Sequence, residues 1–337
     1  MKIPSLFLFA LLLVLTGCGD KNPAEATDEA PAGSGDPGID NVTAGIRQDS
    51  TNADLYAQRA TMYFDKRNYE AAIADMERAL AIDSTNVVYH YNLADVYVQY
   101  YRSRLALRTL QRAATLDPDN VETQLRLSKL HLTLEQYDEA IEAVDEVVRL
   151  DVRNALAFYY LSSAFLGIQD TARAIKAAEE ATEIDPDFTD AYLRMGRLLD
   201  AKGLPRAEQY FSAAVSINPL DPIPLQARGD FYRDNDRIED AKAAYREAVI
   251  ADRQHVSGYF NRGLLLMEQD SVEQALAEFN LVLKNDPVHI QGYFFRGFAR
   301  ELLGNAAGAR DDYRIALRYA PDYTLAQEGL ARVGETE

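Results

Sequence analysis

The chain has 337 residues and carries 53 acidic against 35 basic side chains, which gives a formal net charge of −18. A charge of this sign disfavours nucleic-acid phosphates and anionic lipid headgroups as main partners. Because there is one cysteine, no internal disulfide forms, and the folded part must be stabilised by apolar packing.

The N-terminus has the pattern of a secretory signal, in which Lys2 precedes an apolar run over residues 5–15 and then small residues. This run is too short to cross a hydrocarbon core, which needs about 20 residues. Residues 15–18, Leu-Thr-Gly-Cys, resemble the lipobox of bacterial lipoproteins, whose leader is removed before an acylated cysteine. The resemblance implies a signal peptide at 1–17 and a lipidated, palmitate-bearing Cys18; the alternative is an unmodified cysteine in a cleaved leader.

The same resemblance implies a location in the bacterial cell envelope, with the lipid on Cys18 as the membrane attachment. Retention of such lipoproteins at the inner membrane uses an aspartate at the second mature position, where this chain has Gly19. We therefore expect an outer-membrane protein that faces the periplasm.

Residues 18–38 are acidic and rich in Gly and Pro. Such a segment buries too little apolar surface to offset its ordering entropy, so we expect a flexible tether that reaches about 25 Å. Residues 39–52 resemble residues 73–86 and predict a capping helix.

From residue 53 to 323 the sequence repeats with a period of 34, in eight units beginning at residues 53, 87, 121, 155, 189, 222, 256 and 290; the fifth unit is one residue short. Position 20 of every unit is alanine: Ala72, Ala106, Ala140, Ala174, Ala207, Ala241, Ala275 and Ala309. Position 8 is always small: Ala60, Ala94, Ser128, Ser162, Gly196, Gly229, Gly263 and Gly297. Small residues at these positions let two helices approach closely.

The 34-residue period and these small residues resemble the tetratricopeptide repeat, a helix–turn–helix unit. The resemblance implies an all-α fold, a right-handed superhelix (α-solenoid) of eight repeats with capping helices at 39–52 and 324–337. Polar-faced caps keep the ends of such a stack soluble.

No pattern indicates an enzyme, a cofactor or a metal. His90 and His131 occupy repeat positions that other units fill with aromatic residues, while His255 and His289 fall in separate turns. The loop at 234–236 lacks the glycine and the closing glutamate of a calcium loop. No nucleophile elbow, zinc-protease motif, P-loop or dinucleotide fingerprint occurs.

Function is therefore expected on a surface. In the tetratricopeptide family, positions 2, 5, 6, 9, 12 and 13 line the concave side. The carboxylate clamp of chaperone-binding members would require the residues at five of these positions to match, and only two do: the positions hold Ala57, Thr61, Asn92, Glu122 and Arg126. We therefore exclude that activity.

Concave positions of the second to fifth units instead combine tyrosines with cations. The predicted peptide-binding residues are Tyr91, Asn92, Arg126, Lys129, Tyr159, Tyr160, Arg194 and Arg197. Aromatic rings give rigid contact area and arginine binds carboxylates bidentately, so an acidic peptide is the expected ligand. A secondary aromatic patch is predicted at Phe260, Phe294, Phe295 and Phe298. The alternatives are that Arg197 pairs with Asp200 or Glu208, and that Phe295 and Phe298 pack between helices.

Taken together, these patterns predict a membrane-anchored envelope scaffold that binds segments of other envelope proteins and thereby assembles or recruits them. The alternative is a protein that captures a small molecule or a glycan with its concave aromatic residues.

Overall fold

A computed structural model describes residues 35–334, which form eighteen α-helices and no strand. The predicted signal peptide, Cys18 and most of the predicted tether lie outside the described residues. The described residues divide into two compact units, with the boundary between Tyr89 and His90. None of the helices between residues 35 and 334 combines the length and the apolar character needed to span a bilayer.

The helices, numbered in chain order, form eight consecutive hairpins with a single helix before and after them. The single helices are α1 (Pro37–Gln48) and α18 (Thr324–Arg332). The first helices of the hairpins are α2 (Ala53–Asp65), α4 (Val87–Gln99), α6 (Val121–Thr133), α8 (Ala155–Gly167), α10 (Thr189–Asp200), α12 (Pro222–Asp234), α14 (Val256–Glu268) and α16 (Ile290–Leu302). The second helices are α3 (Tyr69–Ile82), α5 (Ser103–Leu116), α7 (Tyr137–Leu150), α9 (Thr171–Ile184), α11 (Ala207–Ile217), α13 (Ile238–Ala251), α15 (Val272–Asn285) and α17 (Ala306–Tyr319). The predicted all-α fold of eight hairpins with capping helices is confirmed.

In the first unit, α1 packs on α2, and α2 packs on α3. Helix α1 begins two residues before the predicted capping segment, because Asp36 caps it by accepting hydrogen bonds from the backbone of Gly38 and Ile39, and Pro37 occupies its first turn. In the second unit each helix from α5 to α18 packs against the next helix along the chain.

The alanines at position 20 of the repeats are all fully buried, and so are the residues at position 27: Ala79, Ala113, Val147, Ala181, Ala214, Ala248, Val282 and Ala316. Positions 20 and 27 are therefore core positions in all eight hairpins.

A glycine at position 8 always faces an aromatic ring at position 24 of the same hairpin. A Cβ built on Gly263 would lie 2.7 Å from the Phe279 ring, and one on Gly229 would lie 2.6 Å from the Tyr245 ring. Where position 8 is alanine or serine, position 24 is aliphatic: Met76, Leu110, Val144 and Ala178. The two positions therefore share one volume, which explains why glycine and aromatic residues occur together.

The turn of each hairpin has a left-handed residue at position 15, with φ between 55° and 78°. These residues are Arg67, Tyr101, Glu135, Gln169, Gly203, Asp236, Asp270 and Gly304. This conformation ends the first helix. In six of the eight turns this residue is not glycine, so its side chain makes the left-handed backbone conformation strained.

In three hairpins an arginine on the first helix pairs with a buried acid on the second: Arg59 with Asp75, Arg262 with Glu278, and Arg296 with Asp312. The arginine is at position 7 and the acid at position 23. Repeats two to five have neither, with Leu93, Leu127, Leu161 and Met195 at position 7 and Thr109, Ala143, Ala177 and Tyr210 at position 23. In these seven repeats, an arginine at position 7 therefore occurs only where position 23 is an acid, and an acid at position 23 only where position 7 is an arginine.

Candidate functional site

The predicted peptide-binding residues lie on four successive first helices in the second unit. Tyr91 and Asn92 are on α4, Arg126 and Lys129 on α6, Tyr159 and Tyr160 on α8, and Arg194 and Arg197 on α10. We call these eight residues the tyrosine–arginine face.

At one end of this face Arg126 is already neutralised. Its guanidinium lies 4.8 Å from the centre of the Tyr91 ring and pairs with Asp95 at 3.0 Å and Glu122 at 2.6 Å. Burial lowers the pKa of Arg126, but Asp95 and Glu122 more than offset this and raise it overall. Arg126 is therefore held as a structural cation and is not free to bind an acidic ligand. Asp95, which lies on α4, was not predicted as a partner of Arg126. The two residues are 31 positions apart, and no sequence pattern indicates that they pair.

Tyr91 is a packing residue as well as part of this face. Its side chain is 7 % exposed, and its hydroxyl donates to Asn120 Oδ1 at 3.1 Å and also contacts Thr123. The ring is therefore not available to stack against a sugar or another small molecule.

The middle of the face is formed by the adjacent rings of Tyr159 and Tyr160, whose centres are 6.1 Å apart. Burial raises the pKa of Tyr160, with Tyr159 and Glu122 acting in the same direction and Arg126 opposing them. The interactions with Glu122 and Arg126 join Tyr160 to the first end of the face.

At the other end Arg194 is fixed in place by a tyrosine instead of an acid. Its Nη2 donates to the Tyr159 hydroxyl at 3.1 Å, and its guanidinium lies 4.8 Å from the centre of the same ring. Phe188 packs against Tyr159, with the two ring centres 5.2 Å apart. No carboxylate within the described residues pairs with Arg194.

Lys129 and Arg197 are exposed, and neither makes an ion pair or a side-chain hydrogen bond within residues 35–334. The alternative pairing of Arg197 is not observed, since Glu208 binds Tyr232 and Arg237 while Asp200 accepts a hydrogen bond from Asn235. Asn92 is half-buried and likewise has no side-chain partner in this range. The cations that remain available are Lys129, Arg194 and Arg197.

The predicted secondary aromatic patch is partly core. Phe294 is 7 % exposed and packs against Tyr313 and Tyr323 at centre distances of 5.9 and 5.4 Å. Phe295 stacks on the buried ring of Phe279 at 5.7 Å. These two rings therefore stabilise the hairpin stack. Phe260 and Phe298 are half-buried, and their binding of a partner stays a prediction.

Two of the four histidines, His90 and His131, are buried, and His131 Nδ1 is hydrogen bonded to Gln136 at 2.9 Å. Within the part of the chain that the structure describes, no group of three or more His, Cys, Asp or Glu residues could hold a metal ion.

A family model described as tetratricopeptide repeat matches residues 91–154, 125–188, 159–222 and 227–289, which is more than half of the chain, and a second one described as TPR repeat matches residues 60–99. No curated protein matches the chain.

Solved structures of repeat proteins are similar to this one. The C-terminal part of a TPR repeat-containing protein from Cytophaga hutchinsonii has 17 % identity and a TM-score of 0.54, over 71 % of this chain and 99 % of that one. The Cut9–Hcn1 hetero-tetramer of the APC/C has 16 % identity and a TM-score of 0.51, over 88 % of this chain and 58 % of that one. MamA has 27 % identity and a TM-score of 0.42, over 48 % of this chain and 95 % of that one. The first two similarities concern the fold alone.

Proposed function

Because the chain belongs to the tetratricopeptide repeat family, we propose that it is a protein-binding scaffold whose tyrosine–arginine face holds an acidic peptide segment. One observation carries this proposal: Lys129, Arg194 and Arg197 have no carboxylate partner among the described residues, although the chain has a net charge of −18. In so acidic a chain, cations without acidic partners are the groups that an acidic ligand would neutralise.

The geometry of Arg194 suits this role. Tyr159 holds its guanidinium by a hydrogen bond and by ring contact, so little side-chain entropy is lost when a ligand binds. A guanidinium can then bind a carboxylate through two parallel hydrogen bonds. The half-buried rings of Tyr159 and Tyr160 offer apolar contact beside it.

The acids at the other end of the face give the ligand a direction. Asp95 and Glu122 repel carboxylates near α4 and α6, whereas α10 carries Arg194 and Arg197. We therefore place the acidic residues of the ligand against Lys129 and the two arginines of α10, and its uncharged or apolar residues against α8 and the paired Arg126.

A pair of charge reversals tests this assignment. Arg194→Glu with Arg197→Glu should abolish binding of a fluorescent peptide rich in Glu and Leu, measured by anisotropy at low salt. Its matched control is Arg108→Glu with Arg112→Glu, which changes the net charge equally at two exposed α5 residues. Equal losses in both variants would show that binding follows net charge and would refute the site, as would unaltered affinity in the first variant. Circular dichroism should show the same helicity in all three proteins.

We also propose that the chain is an envelope lipoprotein anchored by Cys18 at the outer membrane and that its ligands are segments of other envelope proteins. The lipobox-like residues 15–18 support this. Cys18→Ala should block acylation and leader removal, which mass spectrometry and membrane fractionation would detect. Normal mass and normal membrane partitioning of the variant would contradict the anchor without affecting the peptide site.

A further inference from the structure

A second basic surface lies far along the chain from the tyrosine–arginine face, in a cavity of about 480 Å³ between α13, α14 and α15. Its charged lining consists of Arg246 on α13, Arg253 in the following turn, Arg262 on α14 and Lys284 on α15. Tyr259 and Leu281 contribute apolar wall. We call this cavity the basic pocket.

The pocket is lined by four cations and no acid, on a chain in which acids outnumber bases by 53 to 35. Arg246, Arg253 and Lys284 are exposed and make no ion pair or side-chain hydrogen bond within residues 35–334. Like charges that converge on one cavity repel each other unless an anion lies between them. The described residues supply no acid to neutralise Arg246, Arg253 and Lys284, so we look for a bound anion in this role.

Arg262 contacts one acid but keeps donors to spare. Its Nη1 lies 3.1 Å from Glu278 Oε1, whereas Glu278 Oε2 is buried without a hydrogen-bond partner. Since a guanidinium has five N–H donors, most of those on Arg262 remain unused. The pair with Glu278 anchors the side chain at the pocket wall.

The other repeats do not have this charge pattern. The residues that correspond to Arg246 in the other repeats are Glu77, Gln111, Asp145, Glu179, Ser212, Asn280 and Arg314, so the eighth repeat alone also has a cation there. Arg253 stands where five other repeats have a proline: Pro118, Pro186, Pro219, Pro287 and Pro321. Both positions lie outside the buried core, so hairpin packing does not require arginine at either of them. The pocket is a local feature of the sixth and seventh repeats.

We propose that the basic pocket is a binding site for a small soluble compound that carries two or more phosphate groups. A phosphate presents several oxygens and more than one charge in a small volume, so two such groups can satisfy four cations. The volume is within the range of small-ligand sites. The Tyr259 ring and Leu281 would contact an uncharged part of the same compound. This proposal is independent of the acidic-peptide function.

The test uses inorganic pyrophosphate as the probe, titrated calorimetrically into the full chain. The pocket variant carries Arg246→Ala, Arg253→Ala and Lys284→Ala, all at exposed residues. The matched control carries Arg104→Ala, Arg108→Ala and Arg112→Ala, which remove three exposed cations from α5 that do not line the basic pocket.

Wild type and control should bind pyrophosphate with similar affinity, and the pocket variant should bind at least about tenfold more weakly, as expected for lost hydrogen bonds between charged groups. No binding by wild type, or an equal loss in both variants, would overturn the proposal. Citrate bound as tightly as pyrophosphate would refute the preference for phosphate. Binding to phosphatidylglycerol vesicles without binding to pyrophosphate would overturn the soluble source in favour of a lipid headgroup.

Discussion

The buried ion pair between Arg59 and Asp75 gives a prediction whose size follows from the structure. Arg59 Nε and Nη2 donate to the two carboxylate oxygens of Asp75, both at 2.7 Å. The two side chains are only 13 % and 9 % exposed. Arg59→Leu therefore leaves an uncompensated buried carboxylate, and we expect a loss of about 3–5 kcal/mol in the stability of this unit.

The double variant Arg59→Leu with Asp75→Ala should recover most of that loss. It recreates the pairs Leu127 with Ala143 and Leu161 with Ala177, which occupy the same two positions in the third and fourth repeats. Replacing both charges by apolar groups is often neutral or stabilising, so we expect it within about 1 kcal/mol of wild type.

Hydrogen exchange of the α2 and α3 amides measures this unit directly. Protection in Arg59→Leu should fall about a hundredfold or more, since each 1.4 kcal/mol is a factor of ten, and should return in the double variant. Thr43→Val is the control for the remaining hydrogen bond of Arg59, which Nη1 donates to Thr43 Oγ1 at 3.0 Å. If the single and double variants lose equal protection, the stabilisation comes from arginine packing, and the argument from charge burial is refuted.

Three further predictions concern other parts of the fold. Gly263→Ala should cost roughly 1–3 kcal/mol by overpacking the Phe279 ring, and adding Phe279→Leu should relieve it; urea unfolding that shows no rescue would contradict the shared volume. Gln169→Gly should stabilise its turn by about 0.5–1 kcal/mol and Gly304→Ala should destabilise its turn, because glycine adopts the left-handed conformation without strain. The melting temperature should therefore rise in the first variant and fall in the second, and shifts of the same sign would contradict the assigned backbone strain. Burial lowers the pKa of His255 below its unfolded value, so its contribution to stability is present above about pH 6.5 and is lost as the pH falls through the folded pKa. In His255→Gln the free energy of unfolding should therefore fall less between neutral and mildly acidic pH than in wild type. An unchanged pH dependence of that free energy would exclude this histidine as the cause.

The hairpins were predictable because each repeat places the same small residues at buried positions. Ala72 and its seven counterparts are fully buried. The need for a small residue between two packed helices therefore appears in the sequence eight times, at a nearly constant spacing. The ion pairs were missed although a signal existed: Arg59, Arg262 and Arg296 each precede an acid by sixteen residues. That spacing becomes meaningful only when the repeats are compared with one another.

The sequence predicted on which helices the residues of the tyrosine–arginine face lie, but not which of their charges are unpaired. Helical position places Arg126 and Arg194 at equivalent points of two repeats. Their neighbours then differ, because Arg126 meets Asp95 from another helix while Arg194 meets Tyr159. Such pairings depend on rotamers and on contacts across more than thirty residues. Phe294 illustrates the same limit, since Tyr323, which covers it, follows the last hairpin.

In the last four hairpins the glycine at position 8 and the aromatic ring it faces belong to the same hairpin. Gly263 and Phe279 belong to one hairpin, whereas the small buried residues at positions 20 and 27 are nearly the same in every hairpin. Recombination that adds or removes one of these repeats as a whole therefore keeps its match between glycine and ring intact. A crossover within a hairpin would instead separate glycine from its ring. The gene can thus change length in steps of one repeat without a new core having to evolve.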